Sequence, residues 1–153
     1  MNSPSEHLIV VGVDGSPASL AALRWAVDQA RRTEATIAAV MAWTVPELYD
    51  WPMPTAEQLD LATKNALHDI VRAAVPEDDL PRIRQRTAGG HPAEVILDQA
   101  ATADLLVVGH RGTGTFARAL IGSTARYCID HASCPVVVIR ELGTGSPRLR
   151  PRT

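Results

Sequence analysis

The sequence predicts an α/β fold, a parallel sheet with helices on both faces. Three observations carry this reading. Apolar, β-branched segments without strict alternation recur along the chain, at residues 8–13, 36–43, 105–108 and 135–139; such segments are strands buried on both faces. Between them lie stretches with apolar residues at helical spacing, such as Leu20, Leu23, Val27 and Ala30. The two kinds alternate as β-α-β-α-β-α-β-α-β, which calls for right-handed crossovers and a parallel sheet.

Each element has its own local cause. Asp14-Gly15 breaks the first strand, Ser16 is a helix N-cap and Pro17 suits the first helical position. Arg31 and Arg32 close that helix, where the dipole favours cations. Residues 44–54 hold Pro46, Pro52 and Pro54 with Tyr49 and Trp51, and read as a loop. Thr55 caps a long helix to about Ala74, with Leu59, Ala62, Ala66, Ile70 and Ala74 on its inner side. Residues 76–81 form an acidic loop, and residues 83–87 a short strand whose Arg84 and Arg86 suit a sheet edge. Gly89-Gly90-His91-Pro92 turns into a short helix to about Ala101; a fourth strand, a glycine-rich stretch, a helix from Ser123 to about His131 and a last strand follow.

Composition narrows the function. With 153 residues, 46% hydrophobic and 21% charged, the chain holds one core at the usual rate of about 150 residues per domain. We expect a flexible lead-in over 1–6, a folded domain over 7–140 and a flexible basic tail over 141–153. The formal charge of −2 and aromatic content of 4% offer neither a basic field nor a stacking platform for nucleic acid. No apolar run approaches the roughly 20 residues that span a bilayer, and the first residues lack signal-peptide character, so the expected location is the cytoplasm. Cys128 and Cys134 are too few for a disulfide framework and read as small buried hydrophobes.

In open parallel sheets ligands sit beyond the carboxyl ends of the strands, where the strand order reverses. Two segments belong at that edge: Gly12-Val13-Asp14-Gly15-Ser16, and the stretch from Gly109 to Thr124. The second has glycines at 109, 112, 114 and 122. Missing Cβ atoms let an anion approach backbone N–H groups, and Gly122-Ser123-Thr124 opens a helix, whose N-terminus favours negative charge. Thr113 and Thr115 offer further hydroxyls. The expected ligand is a polyphosphate. A Walker A loop is excluded because the only lysine, Lys64, lies mid-helix. The letters of a dinucleotide fingerprint at 112–117 follow the wrong strand and lack an acid at the next strand end, so the match is chance.

At these residues the chain resembles the universal stress protein family, over about 7–140. The carrying residues are Val-Gly-Val-Asp-Gly-Ser at 11–16, Ala-Leu-Arg-Trp-Ala at 22–26, the run from Asp104 to Gly112, and Gly122-Ser123 ahead of Cys-Pro-Val-Val-Val-Ile at 134–139. The ATP-binding members carry G-x2-G-x9-G-[ST]; here Gly109, Gly112, Gly122 and Ser123 keep that spacing. The resemblance implies a five-stranded Rossmann-like sheet in the order 3-2-1-4-5, of the adenine nucleotide alpha hydrolase type, and a bound ATP with Mg held mainly by the phosphates. By position, Gly12, Val13, Asp14 and Ala42 would meet adenine or ribose. Gly109, His110, Arg111, Gly112, Thr113, Gly114 and Thr115 would meet ribose and phosphates, and Gly122, Ser123 and Thr124 the phosphates. Met41 departs from the histidine many members carry.

The other chemical groups have plainer readings. Asp14 also suits a turn, Arg118 and Arg126 suit a surface or subunit contact, and the remaining histidines a solvated face. Trp43, Tyr49 and Trp51 suit packing, with a lid over the base as the functional alternative. The apolar last strand, at an edge in the implied order, predicts a homodimer joined through residues 135–140. The expected role is an ATP-binding stress regulator that acts on a protein partner, with slow or no hydrolysis. The rivals are a phosphate-ester hydrolase, in which Asp14 or His110 orients water, and a nucleotide-free scaffold.

Overall fold

A computed structural model describes residues 6–47, 52–111 and 120–141. Five strands, β1 (Leu8–Gly12), β2 (Thr36–Trp43), β3 (Ile83–Gly89), β4 (Leu105–Gly109) and β5 (Val136–Ile139), form one sheet in the order β3-β2-β1-β4-β5. All neighbours are parallel, and β1 lies between β2 and β4, with Ile9 opposite Ile37 on one side and Leu105 on the other. The order reverses between β1 and β4, so their carboxyl ends diverge and leave a crevice.

Alternation along the strands feeds two cores. Ile9, Val11, Ile37 and Ala39 pack against α1 (Pro17–Thr33) and α2 (Ala56–Ala74). Val10, Ala38, Val40, Leu106 and Val108 pack against α3 (Pro92–Gln99) and α4 (Ser123–His131). Cys128 is wholly buried in this second core with Cys134 beside it, and burial pushes the Cys128 thiol up to about 11, so it stays protonated. No described helix is long and apolar enough to cross a membrane.

Several elements differ from expectation. On α2 the buried face is centred on Leu67 and Val71, while Ala62 is exposed. The acidic segment is a 3-10 helix over Glu77–Arg82, because Asp79 turns inward onto the Arg31 guanidinium at the end of α1. Hydrogen bonding from Arg31 holds the Asp79 carboxyl below the ordinary carboxylate range. β3 runs on to Gly89, which pairs with Trp43 at the end of β2; a Cβ there would lie 2.6 Å from the Trp43 ring. α3 stops at Gln99. Glu6, expected in the lead-in, accepts from the Thr36 hydroxyl and from Arg84 at 3.1 Å. Residues 1–5 and the tail from 142 lie outside the described residues.

Candidate functional site

The crevice is assembled from three chain segments. After β1, Asp14 holds the turn into α1: its Oδ1 accepts the Ser16 N–H at 2.9 Å, and its own N–H is 3.3 Å from the Ser19 hydroxyl. Gly15 takes φ +81°, the left-handed region that a Cβ disfavours. After β4, the His110 N–H donates to the Ile139 carbonyl at 2.7 Å, extending the β4–β5 pairing by one rung. The His110 carbonyl then accepts the Gly122 N–H at 2.8 Å. The chain that leaves the sheet at His110 therefore returns to the same residue just ahead of α4.

That return sets the third segment. Gly122 is the N-cap of α4 and supplies no side-chain cap. The first N–H groups of an α-helix have no intrahelical acceptor; here Ser123, Thr124 and Ala125 line the crevice, no side chain among the described residues caps the helix, and the dipole adds positive potential. The result is a cavity of about 700 Å³. Gly12, Val13, Asp14, Ala42, Gly109, His110, Arg111, Gly122, Ser123 and Thr124 all line it. Every expected site residue that is described is thus brought to one place. Gly112, Thr113, Gly114 and Thr115 lie outside the described residues.

The glycines do not all act as expected. At Gly109 an added Cβ would sit 2.7 Å from the Ala18 carbonyl carbon and 2.9 Å from the Ser19 nitrogen. The absent side chain lets α1 approach β4, so Gly109 serves packing at the rim of the crevice. Gly12 would meet only the movable tip of Ile96. Gly122 has φ −62° and ψ 157°, open to any residue, so no backbone strain demands glycine there.

One wall was missed by the sequence reading. Val40, Met41, Pro92, Ile96 and Val108 form an apolar side. Pro92 and Ile96 stand four apart, on one face of α3, but nothing in their spacing says that this face looks into the crevice. Leu120 and Ile121, just ahead of Gly122, also line the cavity and are exposed.

The other candidates fall elsewhere. Trp43 donates from Nε1 to Asp60 at 2.9 Å and covers Gly89 rather than the cavity, while Tyr49 and Trp51 lie outside the described residues, as does Arg118. Asp60 also accepts from Thr87 at 2.7 Å and pairs with Lys64 at 2.8 Å. Hydrogen bonds from Lys64, Thr87 and Trp43, in that order, pull the Asp60 carboxyl down to about 2. His7, His68, His91 and His131 are exposed, and His131 stacks on Tyr127 with centroids 4.1 Å apart. His110 is the buried histidine; burial first, then the charges of Arg140 and Arg111, holds its imidazole below the usual range. Among the described residues no group of three or more His, Cys, Asp or Glu side chains is placed to hold a metal.

The family model described as the universal stress protein family matches residues 7–140. The chain belongs to this family. A universal stress protein of Mycolicibacterium smegmatis is 35% identical over 147 residues, covering 91% of this chain and 50% of that protein. The chain spans about half the length of the curated relatives it matches. Among solved structures, universal stress protein UspA from Lactobacillus plantarum is 30% identical with a TM-score of 0.63, covering 90% of this chain and 100% of that one. A universal stress protein in complex with cAMP is 26% identical with a TM-score of 0.62, over 87% and 96% of the two chains. The Archaeoglobus fulgidus universal stress protein in complex with dAMP is 26% identical with a TM-score of 0.58, over 87% and 97%.

Proposed function

We propose that this universal stress protein binds ATP in the crevice between β1 and β4 and acts as a nucleotide-dependent regulator of a stress response in the cytoplasm. One observation carries the reading: the uncapped head of α4 opens onto the 700 Å³ cavity at the switch point of the sheet. Main-chain amides and a helix dipole there suit phosphate. The apolar wall of Val40, Met41, Pro92, Ile96 and Val108 suits a purine base. Solved relatives carry cAMP and dAMP, which supports an adenine nucleotide.

Mg, when bound with ATP, would neutralise the triphosphate and take most of its ligands from the phosphate oxygens. Gly122, Ser123 and Thr124 would hold those phosphates, with Arg111 near them. The residues offer little for fast hydrolysis. Asp14 already accepts the Ser16 N–H, and the sole lysine is engaged by Asp60 on α2. A nucleotide would instead act through the segment between His110 and Gly122, altering the exposed Leu120 and Ile121 that a partner protein would read. β5 stands at the sheet edge, half-buried in the single chain, and a second copy pairing there would make the homodimer.

Calorimetric titration of ATP and AMP into the full chain tests this. Saturable, stoichiometric binding with turnover well below about 1 s⁻¹ is expected. Absence of binding at millimolar nucleotide would leave the scaffold reading, and fast turnover the hydrolase. Light scattering on the eluting protein should give the mass of a dimer; a monomer would remove the β5 pairing.

A further inference from the structure

A second, smaller pocket lies at the head of α1, lined in part by Ala18, His110, Arg111, Arg140 and Glu141. Its volume is about 170 Å³. This is about a quarter of the larger cavity's volume and enough for a small tetrahedral ion.

Its chemistry has a sign. Pro17 has no N–H, the Ser19 N–H is taken by the Ser16 hydroxyl at 3.2 Å, and the Leu20 N–H by the Ser16 carbonyl at 3.0 Å. The Ala18 N–H between them finds no acceptor among the described residues, although Ala18 is only 6% exposed. It stands at the positive end of a 17-residue helix. His110 is 8% exposed and its ring makes no hydrogen bond among the described residues. Among the described residues no side-chain nitrogen or oxygen is both sealed from solvent and unpartnered, so the imidazole nitrogens open onto the cavities that His110 lines. Among the described residues Arg140 joins no ion pair, and Glu141 is the only acid in the lining.

We propose that this pocket is an oxyanion site separate from the larger cavity, taking a free tetrahedral dianion such as inorganic phosphate between the Ala18 N–H, His110 and Arg140. The two sites stand back to back. His110 and Arg111 line both, Arg140 lines only the smaller, and Gly122, Ser123 and Thr124 only the larger. Phosphate held here would be felt at the nucleotide site through the shared His110. The terminal phosphate of a nucleotide reaching past His110 has the same chemistry, and the test separates the two sources.

Inorganic phosphate and, separately, ATP are titrated calorimetrically into the nucleotide-free full chain, its Arg140→Gln variant and its Gly122→Val variant. Arg140→Gln is expected to weaken phosphate roughly tenfold, the usual scale for a charged hydrogen bond, and to leave ATP unchanged. Gly122→Val is expected to leave phosphate unchanged. Absence of phosphate binding, or binding lost in Gly122→Val and kept in Arg140→Gln, overturns the proposal. Equal weakening of phosphate and ATP by Arg140→Gln also overturns it, by assigning Arg140 to the nucleotide. Should ATP fail to bind at all, the phosphate arms still decide.

Discussion

The heads of α2 and α4 are built in opposite ways. α2 starts with a full capping box: the Thr55 hydroxyl accepts the Gln58 backbone N–H at 3.1 Å, and the Gln58 side-chain Oε1 accepts the Thr55 N–H at 2.8 Å. α4 starts on Gly122, with no side chain to spend on its own amides. Both helices pack on the same sheet, one on each face. A helix that needs only stability closes its donors locally. One that starts on glycine beside a cavity gives up only about a few tenths of a kcal/mol of capping and keeps its amides available to an anion.

Four substitutions or conditions can break or sharpen that contrast. The largest effect is expected at the rim. Gly109→Ala puts a Cβ against the α1 backbone and should lower unfolding stability by about 1–3 kcal/mol, as overpacking does. Denaturant unfolding reads this; an unchanged midpoint would return Gly109 to a role in ligand approach. Next, Gly122→Val should weaken ATP at least tenfold, or about 1.4 kcal/mol, with unfolding stability lowered by no more than about 1 kcal/mol, the scale of a lost N-cap, because the backbone angles accept valine. Unchanged calorimetric affinity would mean that nothing binds at the head of α4. Thr55→Ala should do the reverse, costing about 1 kcal/mol of stability with ATP affinity intact. A loss of affinity there would tie α2 to the site.

The smallest effect is a pH dependence on the α2 side. The Asp60 carboxyl is held near 2 against an ordinary 3.8. Its folded-state value is depressed, so its contribution is present above about pH 4 and is lost as pH falls toward about 2. Asp60→Asn should flatten acid unfolding in that window, followed by circular dichroism. An unchanged acid profile would show that Trp43, Thr87 and Lys64 do not hold the carboxylate in solution.

The contrast between the two helix heads also marks what the sequence could show. Ser16-Pro17, Thr55 with Gln58, and Gly122-Ser123 are local signals, and each helix starts where its signal stands. The alternation of elements predicts the parallel sheet, whereas the strand order, and with it the switch point that gathers Asp14, Gly109 and Gly122, is what the family resemblance implies. The inner face of α2 is legible in part: Ile70 and Ala74 pack on the core as expected, while Ala62 is exposed and the burial of Leu67 and Val71 is decided by the sheet beneath. The 3-10 helix depends on Asp79 meeting Arg31, 48 residues away, which no local pattern encodes. The apolar wall of the cavity was hidden for the same reason: Val40, Val108 and Ile96 share a core only when α3 has crossed the sheet. Gly109 carries the same letter for packing as it would for phosphate, and only the close approach of Ala18 tells the two apart.

The most direct measurement is a crystal structure of the chain grown with ATP and Mg. The account predicts phosphate oxygens within hydrogen-bond distance of the Ser123 and Thr124 amides, with the base against Met41 and Ile96. A triphosphate seated away from the head of α4, or that head closed by a protein side chain with the nucleotide bound elsewhere, would contradict it.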